Sequence, residues 1–249
     1  MTITSHNTAP TKKTALVTGG GVRIGQDMAL HLAKAEWAVV IHCRHSLDQA
    51  QKTVAQINNG GGHAALVQAD LDDPHQVDDL ISRAQEAIGD PITLLVNSAS
   101  TFEDDNAETF TRESWYRHMN SNLYAPVMLS RDMAAALPDR GLIINMLDQR
   151  VVHTKVNYFS YSIAKSALWT ATKMLARTYA PRLRVNAIAP GMMLKSDAVP
   201  EERFAALLAA TPMARPLELS DIRRALDFII HTEGLTGHMI PIDGGEHLT

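Results

Sequence analysis

Residues 14–25 read TALVTGGGVRIG, an apolar run that is closed by three consecutive glycines and followed by residues at helical spacing. A short apolar run that ends in glycines is typical of a buried strand. Because residues 24–34 carry apolar side chains at the period of a helix, this stretch predicts a strand, a tight turn and a helix in succession. The first turn of such a helix presents unpaired N–H groups and a partial positive charge, which suit a pyrophosphate group.

The same alternation of strands and helices continues to the end of the chain. Strands are predicted at residues 14–18, 37–42, 64–68, 92–97, 141–147, 183–188 and 238–242. Helices are predicted at residues 24–34, 47–58, 74–88, 112–137, 158–179 and 221–231, with an irregularity near Pro126. Strands this apolar are buried on both faces, which indicates a parallel sheet covered by helices. We therefore predict a single α/β domain over residues 14–249, doubly wound in the Rossmann manner, with a mostly seven-stranded parallel sheet.

The composition limits which partners and which cellular compartment fit this sequence. The chain has 249 residues, 45% of them hydrophobic and 5% aromatic, with a formal net charge of −4 and one cysteine. A weakly acidic chain with few aromatic side chains is a poor fit to nucleic acid, and no apolar run is long enough to span a membrane. Residues 1–13 are polar and predict a flexible arm rather than a signal peptide, so we expect a cytoplasmic enzyme without disulfides.

The glycine turn carries the first set of predicted cofactor contacts. Gly19, Gly21 and Gly25 allow the backbone to approach a pyrophosphate closely, and Ile24 lies at the start of the helix. Arg23 would add a fixed positive charge, which could pair with the pyrophosphate or hold a polar substrate. A plain strand-to-helix connection is the alternative interpretation, and the position after the first strand of a βαβ unit makes it weaker.

The end of the second predicted strand decides between the two nicotinamide cofactors. NAD-binding units usually place an acidic residue there to hold the ribose hydroxyls. This chain has Arg44, His45 and Ser46 instead, and no acid before Asp48. Cationic and hydroxyl side chains suit a 2′-phosphate, so we predict NADPH as the cofactor, with an exposed polar turn as the alternative. His42 and His45 have no further ligands nearby in the sequence, so no metal site is predicted.

A tyrosine and a lysine four residues apart form the predicted reactive pair. Tyr161 and Lys165 fall one turn apart on the same face of the predicted helix 158–179. A nearby ammonium group favours phenolate, so we expect Lys165 to lower the pKa of Tyr161 toward the working range and to make it a proton donor. Tyr158 is a second tyrosine nearby, but the residue four positions after it is a serine and not a lysine.

Asp148 follows the fifth predicted strand and precedes Tyr161 by 13 residues. A carboxylate at this place would repel the oxyanion that develops when a ketone is reduced. It can instead accept N–H bonds from a substrate or help to pass protons to Tyr161. Both tasks suit a nitrogen heterocycle that is reduced at a C=N bond, so Asp148 favours a substrate of that kind.

The loop motif TGxxx(G)xG and the Y-x-x-x-K spacing together resemble the short-chain dehydrogenase/reductase family, over essentially the whole chain after residue 13. Two positions depart from the family pattern. Arg23 stands where the family usually has glycine, and Asp148 stands where it usually has serine. A serine hydroxyl polarises a carbonyl oxygen, so the aspartate makes an ordinary ketone a less attractive substrate.

The same resemblance implies roles for residues at the ends of further strands. Asp70 and Leu71 would contact the adenine, and Asn97 and Ala99 fall in the segment that matches the family's NNAG motif. Asn122, on the long predicted helix, would support a water chain to the lysine, with a role in a helix kink as the alternative. Family resemblance thus extends the predicted cofactor site beyond the glycine turn.

Within that family, the chain resembles the pteridine reductases and the related bacterial dihydromonapterin reductases. The resemblance is carried by Arg23, Arg44-His45-Ser46, Asn145-Met146-Leu147-Asp148, Ser98-Ala99-Ser100-Thr101-Phe102 and Asp243-Gly244-Gly245-Glu246-His247-Leu248. It implies NADPH-dependent reduction of a dihydropterin, such as dihydrobiopterin or dihydromonapterin, with oxidised pterin or dihydrofolate as further substrates. Since family members commonly form tetramers, it also implies a homotetramer.

This resemblance also implies a substrate site. Phe102 would stack on the pterin against the nicotinamide, with ordinary packing in a loop as the alternative. Asp148 and Lys165 would support Tyr161 in relaying a proton to a ring nitrogen. The residues expected to contact the substrate are Arg23, Ser100, Phe102, Asp148, Tyr161 and Met192. The segment Pro190-Gly191 would close over the nicotinamide, and residues 191–217 would form a lid over the substrate.

Two other functions stay open at this point. One is a carbonyl-reducing member of the same family, acting on a 3-oxoacyl thioester, a sugar or a steroid, and Arg23 and Asp148 count against it. The other is a non-catalytic NADPH-binding module. Such a module is expected to lack part of the set formed by Tyr161, Lys165 and Asn122, whereas this chain keeps all three.

Overall fold

The structure is a computed structural model that describes residues 12–137, 139–193 and 201–249. Parallel strands form one seven-stranded sheet in the order β3-β2-β1-β4-β5-β6-β7. The strands are β1 (Thr14–Val17), β2 (Ala38–Cys43), β3 (Ala64–Gln68), β4 (Leu94–Asn97), β5 (Gly141–Met146), β6 (Leu183–Pro190) and β7 (Met239–Ile242). This sheet confirms the predicted fold class, a single α/β domain of the Rossmann type.

Helices cover both faces of the sheet. They are α1 (Arg23–Lys34), α2 (Leu47–Asn59), α3 (Pro74–Val77), α4 (Leu80–Ile88), α5 (Arg112–Met119), α6 (Ala125–Ala136), α7 (Phe159–Tyr179), α8 (Glu201–Ala209) and α9 (Leu219–His231). One core cluster joins alternate strand residues to α1, α2 and α9. A second cluster joins the intervening strand residues to α3, α4 and α6. Because successive side chains of a strand point to opposite faces of the sheet, the strands contribute to two separate apolar layers, one on each face.

The strand order reverses between β1 and β4, which lie side by side at the centre of the sheet. In doubly wound folds, ligands bind in the crevice outside the carboxyl ends of the strands at such a reversal. The loops that follow β1, β4 and β5 begin at Thr18, Ser98 and Leu147, and they all lie at this edge. The predicted functional residues are therefore brought to one end of the sheet.

Two predicted helices are interrupted in the structure. The stretch predicted as one helix over 74–88 is split into α3 and α4, and Asp73 caps the first piece by accepting the His75 N–H at 3.0 Å. The stretch predicted over 112–137 contains a π-helical turn, Asn120–Tyr124, between α5 and α6. Pro126 lacks the N–H that a regular helix would use just after this turn, which explains the irregularity expected there.

The region 191–217, expected to form a lid over the substrate, contains the helix α8. Pro212 follows the end of this helix and does not interrupt it. Residues 194–200 of the expected lid lie outside the described residues, as do residues 1–11 of the expected N-terminal arm. Lys12 is described, and its ammonium forms an ion pair with Asp90 at 2.6 Å.

The described residues contain neither a membrane-spanning helix nor a cluster of metal-ligating side chains. No helix in that part of the chain is both long enough and apolar enough to cross a membrane. Within the same residues, no group of three or more histidine, cysteine, aspartate or glutamate side chains is placed to hold a metal ion.

Candidate active site

The glycine turn after β1 is packed too tightly to carry side chains. Gly19 has a φ of +66°, and a Cβ there would lie 3.0 Å from the Ala99 Cα. A Cβ on Gly25 would overlap the carbonyl oxygen of Gly19, and one on Gly21 would lie 3.2 Å from the Ser46 Oγ. Only glycine fits these places, so the first turn of α1 comes directly against the loop.

Thr18 ties this turn to the loop after β4. Its Oγ1 accepts the backbone N–H of Ser98 at 2.9 Å and that of Ala99 at 3.0 Å. Ala99 therefore lies against the glycine turn through its backbone. The predicted contact of Ala99 with a cofactor is consistent with this position at the strand reversal.

His42, near the end of β2, holds the glycine turn from the other side. Its Nδ1 accepts the Gly19 N–H at 3.2 Å, and its Nε2 lies 3.0 Å from the Ala69 carbonyl oxygen, to which it donates. The side chain is 1% exposed, and burial lowers the pKa of His42 from 6.5 to about 4. His42 is thus a neutral imidazole that joins β1, β2 and β3, a role the sequence analysis missed.

Arg23, the first residue of α1, has a φ of +54°. Its side chain is exposed and has no hydrogen-bond or ion-pair partner among the described residues. A positive φ is natural for glycine, which is what the family usually has at this place, and it is unusual for arginine. Ile24 follows, half-buried against the core cluster that contains α1.

The residues predicted to bind a 2′-phosphate lie together after β2. Arg44 and His45 are exposed, and Ser46 precedes α2 without using its side chain as a helix cap. Asp70, after β3, lies 3.5 Å from the Arg44 guanidinium. Leu71 is only 5% exposed and its side chain packs in the core, so the predicted adenine contact would be made through its backbone.

The Asn97 side chain lies inside the sheet. Its Nδ2 donates to the Asn145 Oδ1 at 2.8 Å, and the Asn145 Nδ2 donates to the Thr172 Oγ1 at 2.9 Å. This buried polar chain links β4, β5 and α7. The amide of Asn97 therefore stabilises the sheet below the site and is not directed at the predicted cofactor.

Asn122 lies in the π-helical turn and is fully buried. Its Oδ1 accepts the Ser100 hydroxyl at 2.8 Å and the Thr101 N–H at 3.2 Å, and its Nδ2 donates to the Thr101 carbonyl at 2.8 Å. All these bonds go to the loop after β4. Asn122 therefore fixes Ser100, whose side chain faces the reactive tyrosine closely enough to affect its pKa.

Asp148 and Tyr161 are in direct contact. The Tyr161 hydroxyl donates to the Asp148 Oδ2 at 2.9 Å, and the Arg150 N–H donates to the other carboxylate oxygen at 2.9 Å. The contact joins the loop after β5 to the first turns of α7. The predicted pair thus shares one hydrogen bond.

The pKa values of this pair both rise. Burial raises the pKa of Asp148, and burial together with the Asp148 carboxylate raises the pKa of Tyr161 well above its ordinary value. The expectation that Lys165 would lower the pKa of Tyr161 is therefore wrong for this arrangement. Its physical reason is the distance: the carboxylate is hydrogen-bonded to the hydroxyl, whereas the Lys165 ammonium lies 5.7 Å from the ring centre.

Lys165 is 2% exposed and donates to the Met146 carbonyl at 2.7 Å. Burial lowers its pKa to about 8, against the attraction of Asp148. A buried ammonium with few partners is costly, so this lysine holds its proton less tightly than an ordinary one.

An aromatic group covers the tyrosine. Phe102 is 51% exposed, and its ring meets the Tyr161 ring edge-on, with 4.7 Å between the centres. Phe102 also stacks on Tyr158, which the sequence analysis considered only as a false candidate for the proton donor. The motif gave no signal for this second contact, because it depends on the loop after β4 meeting the start of α7.

The segment Pro190–Met192 is held by the C-terminal residues. The Gly191 N–H donates to the Ile242 carbonyl at 2.9 Å, and the Met192 N–H donates to Glu246 at 3.4 Å. Glu246 also accepts from the Gln149 side chain at 2.9 Å and from the Lys155 ammonium at 2.9 Å. One buried carboxylate therefore joins the residue after Asp148 to the start of the expected lid.

The doubly wound sheet, the glycine turn and the Tyr161/Lys165 pair define an oxidoreductase with a dinucleotide site. Residues 13–204 match the short chain dehydrogenase family, so the chain belongs to that family. This result confirms the family-level part of the predicted resemblance.

Comparison with known proteins adds detail within the family. The chain is 42% identical to the solved structure of FolM alternative dihydrofolate reductase 1 from Brucella canis, complexed with NADP, covering 95% of this chain and 94% of that one with a TM-score of 0.91. A blue fluorescent protein from a metagenomic library, in complex with NADPH, is 30% identical with a TM-score of 0.87, covering 95% and 98%. The 3-oxoacyl-(acyl-carrier-protein) reductase FabG of Pseudomonas aeruginosa is 29% identical over 245 residues, 95% of this chain and 98% of that protein.

Proposed function

We propose that this chain is an NADPH-dependent reductase of pteridines that acts on a CH–NH group and converts a dihydropterin to its tetrahydro form. The observation that carries the proposal is the 2.9 Å hydrogen bond between Tyr161 and Asp148, where the family usually has a serine. The likeness to an alternative dihydrofolate reductase with bound NADP supports it. Dihydrobiopterin and dihydromonapterin are the proposed kinds of substrate, with dihydrofolate as a further one.

The glycine turn fits a dinucleotide pyrophosphate. Gly19, Gly21 and Gly25 leave no room for side chains, so the backbone N–H groups at the start of α1 stay open to an anion. Arg23 has no partner among the described residues and would add a positive charge beside these groups. Pro190 and Gly191 would close the nicotinamide end of the same cleft.

A 2′-phosphate fits the corner formed by Arg44, His45 and Ser46. Their side chains are exposed or half-exposed, and the Ser46 hydroxyl is not consumed by a helix cap. Charge-assisted hydrogen bonds of arginine to phosphate are among the stronger ones in proteins. This corner is the reason for proposing NADPH over NADH, and the NADP in related structures supports the choice.

When bound, NADPH supplies the hydride that reaches the ring carbon of the substrate. Tyr161 supplies the proton: its hydroxyl is neutral because its pKa is raised, and it can donate to the ring nitrogen of the C=N bond. Asp148 accepts from that hydroxyl, and its raised pKa lets the carboxylate take up a proton from solvent and pass it to the phenolate that the donation leaves. Lys165 places a positive charge behind the pair, which stabilises the negative charge that the proton transfer leaves.

The substrate would lie between Phe102 and the nicotinamide. Ser100 is fixed by Asn122 beside the Tyr161 hydroxyl, and Arg23 and Met192 would contribute to the same substrate site. Planar heteroaromatic rings stack well on phenylalanine, whereas aliphatic ketones gain little from such a face. The described aromatic surface therefore supports a pterin better than an acyl chain.

A carbonyl-reducing activity is the second candidate. The likeness to 3-oxoacyl-(acyl-carrier-protein) reductase, at 29% identity, favours it. Against it stands the Asp148 carboxylate, which would lie close to a developing oxyanion and repel it. The non-catalytic alternative is weaker still, because Tyr161, Lys165 and Asn122 are all kept and the first two are buried at the site.

We propose in addition that the chain assembles as a homotetramer in the cytoplasm. The outer face of α7 carries a groove of about 670 Å³, whose lining includes Ile163, Ser166 and Ala167. Small side chains such as Ser166 and Ala167 allow another helix to approach closely.

The experiment that tests the function is a steady-state assay of NADPH oxidation with purified protein. Dihydrobiopterin, dihydromonapterin and dihydrofolate are supplied separately, and a 3-oxoacyl thioester is the control. Turnover of a pterin and not of the thioester supports the proposal and ranks the substrates. Turnover of the thioester alone contradicts it and means that Asp148 and Arg23 have been misinterpreted.

A further inference from the structure

Three side chains form a stack beside the reactive tyrosine. The rings of Phe102 and Tyr158 are parallel within 7°, with 4.1 Å between their centres. The Arg150 guanidinium carbon lies 4.8 Å from the centre of the Tyr158 ring, and that guanidinium donates to the Asn157 side chain at 3.1 Å. The stack joins the loop after β4 to the loop after β5 and to the start of α7.

Tyr158 holds an unusual backbone conformation to take part in this stack. It precedes α7 with φ +55° and ψ +46°, in the left-handed region, and its side chain caps no helix N–H. For a bulky residue this conformation costs about 1–2 kcal/mol. Such strain persists only where the surroundings hold it, and it concentrates at functional sites. The strain at Tyr158 therefore calls for a functional explanation.

The stack with Tyr158 determines which face of the Phe102 ring is open to a substrate. At 4.1 Å, Tyr158 covers one face of the Phe102 ring and leaves no space for a second ring between them. The Tyr161 ring is nearly perpendicular to the Phe102 ring, with 4.7 Å between their centres, and the Phe102 side chain is still 51% exposed. A flat substrate can therefore stack only on the face that Tyr158 leaves open.

The segment that carries Phe102 is fixed on both sides of the ring. Asn122 binds the backbone of Thr101, and His118 accepts the Glu103 N–H at 3.2 Å. These bonds fix the backbone but not the rotation of the Phe102 side chain. The contact with Tyr158 is what fixes the orientation of the ring relative to Tyr161.

We propose that Tyr158 is a positioning residue that determines substrate specificity: it covers one face of Phe102 and fixes the ring, so that a planar substrate stacks on the other face beside Tyr161. This inference rests on the proposed function, because it requires a planar substrate. It assigns Tyr158 no part in proton transfer, since its effect on the substrate passes through Phe102.

The matched test variants are Tyr158→Gly and Tyr158→Phe. Glycine adopts the left-handed backbone without strain, so Tyr158→Gly removes the stack while keeping the local fold. Phenylalanine keeps the stacked ring and removes only the hydroxyl. We expect Tyr158→Gly to raise KM for the dihydropterin about tenfold with kcat changed less than about twofold, since a stacked aromatic pair contributes at that level. Tyr158→Phe is expected to restore KM to within about twofold of the wild type.

A double-mutant cycle tests whether the effect passes through Phe102. In a Phe102→Leu background the partner ring is gone, so Tyr158→Gly is expected to leave KM unchanged there. Additive effects of the two substitutions would overturn the proposal. So would an unchanged KM in Tyr158→Gly alone, or an equal rise in Tyr158→Gly and Tyr158→Phe, which would assign the effect to the hydroxyl.

Equilibrium binding of oxidised biopterin to the NADP-loaded protein separates this inference from the proposed function. A wild type that binds biopterin but does not reduce a dihydropterin contradicts the proposed function. The inference is then supported if Tyr158→Gly weakens that binding about tenfold, and overturned if it does not. A wild type that binds no pterin contradicts both.

Discussion

The Tyr161 hydroxyl donates to the Asp148 carboxylate at 2.9 Å, so these two titratable groups of the site are directly connected. Their pKa values rise together, because the negative carboxylate disfavours a phenolate and both groups are shielded from water. Tyr161 is therefore a phenol throughout the neutral range. A phenol that is hydrogen-bonded to a carboxylate is suited to give a proton to a basic ring nitrogen.

The alkaline limit of activity is predicted to belong to Lys165. Since the pKa of this lysine is lowered to about 8, its positive charge is lost as pH rises through that value. We expect kcat/KM for the dihydropterin to fall above about pH 8. Tyr161, whose pKa is raised, is not expected to contribute to this decrease. The measurement is the pH profile of kcat/KM for the wild type and for Lys165→Arg, which keeps its charge. If kcat/KM decreases at the same pH in both proteins, a group other than Lys165 causes the decrease.

The choice of cofactor is predicted to depend on Arg44. Replacing it by aspartate introduces the acid that NAD-binding units use and puts a negative charge beside the 2′-phosphate. We expect Arg44→Asp to raise KM for NADPH about 10- to 100-fold and to leave KM for NADH the same or lower. Arg140→Asp is the control. This exposed arginine immediately precedes β5, so it lies at the amino ends of the strands, away from the carboxyl ends where the cofactor is expected. Equal losses with both cofactors in Arg44→Asp would contradict a 2′-phosphate site.

Acid is predicted to destabilise the fold through His42. Its pKa is about 4 in the folded protein and near 6.5 when unfolded, so the unfolded chain takes up a proton between these values and the folded one does not. The free energy of unfolding should therefore decrease as pH falls from 6.5 to 4, by on the order of 3 kcal/mol from this residue.

Denaturant unfolding of the wild type and of His42→Asn over that pH range measures this contribution. Asparagine can still accept the Gly19 N–H but does not titrate. The difference in stability between the two proteins should be largest near neutral pH and shrink toward pH 4. A constant difference would mean that His42 is protonated in the fold, contrary to its two hydrogen bonds.

Local patterns in the sequence were enough to predict the sheet, the glycine turn and the Tyr161/Lys165 pair, because each depends on spacing within one strand or helix. The π-helical turn Asn120–Tyr124 agrees with the irregularity expected near Pro126, whereas the interruption after Val77 was not predicted. Helix α8 was not among the helices predicted from the sequence.

Contacts between distant segments account for the rest of what the sequence could not provide. Glu246 meets Gln149 across 97 residues, and no short motif encodes that contact. The direction of the Tyr161 pKa shift depends on how deeply the hydroxyl is buried and on its contact with Asp148, and both are properties of the folded chain. The inward direction of Asn97 and Leu71 likewise follows from packing at the strand ends.

The most direct test of the central claim is the steady-state rate of Asp148→Ser with a dihydropterin and NADPH, beside Asp148→Asn as the matched isosteric control. If Asp148 takes part in proton transfer with Tyr161, both variants should lose about 100-fold or more in kcat/KM while the Kd for NADPH stays unchanged. A serine variant that reduces the dihydropterin within about threefold of the wild-type rate would contradict the claim, and the carboxylate would then serve only in packing.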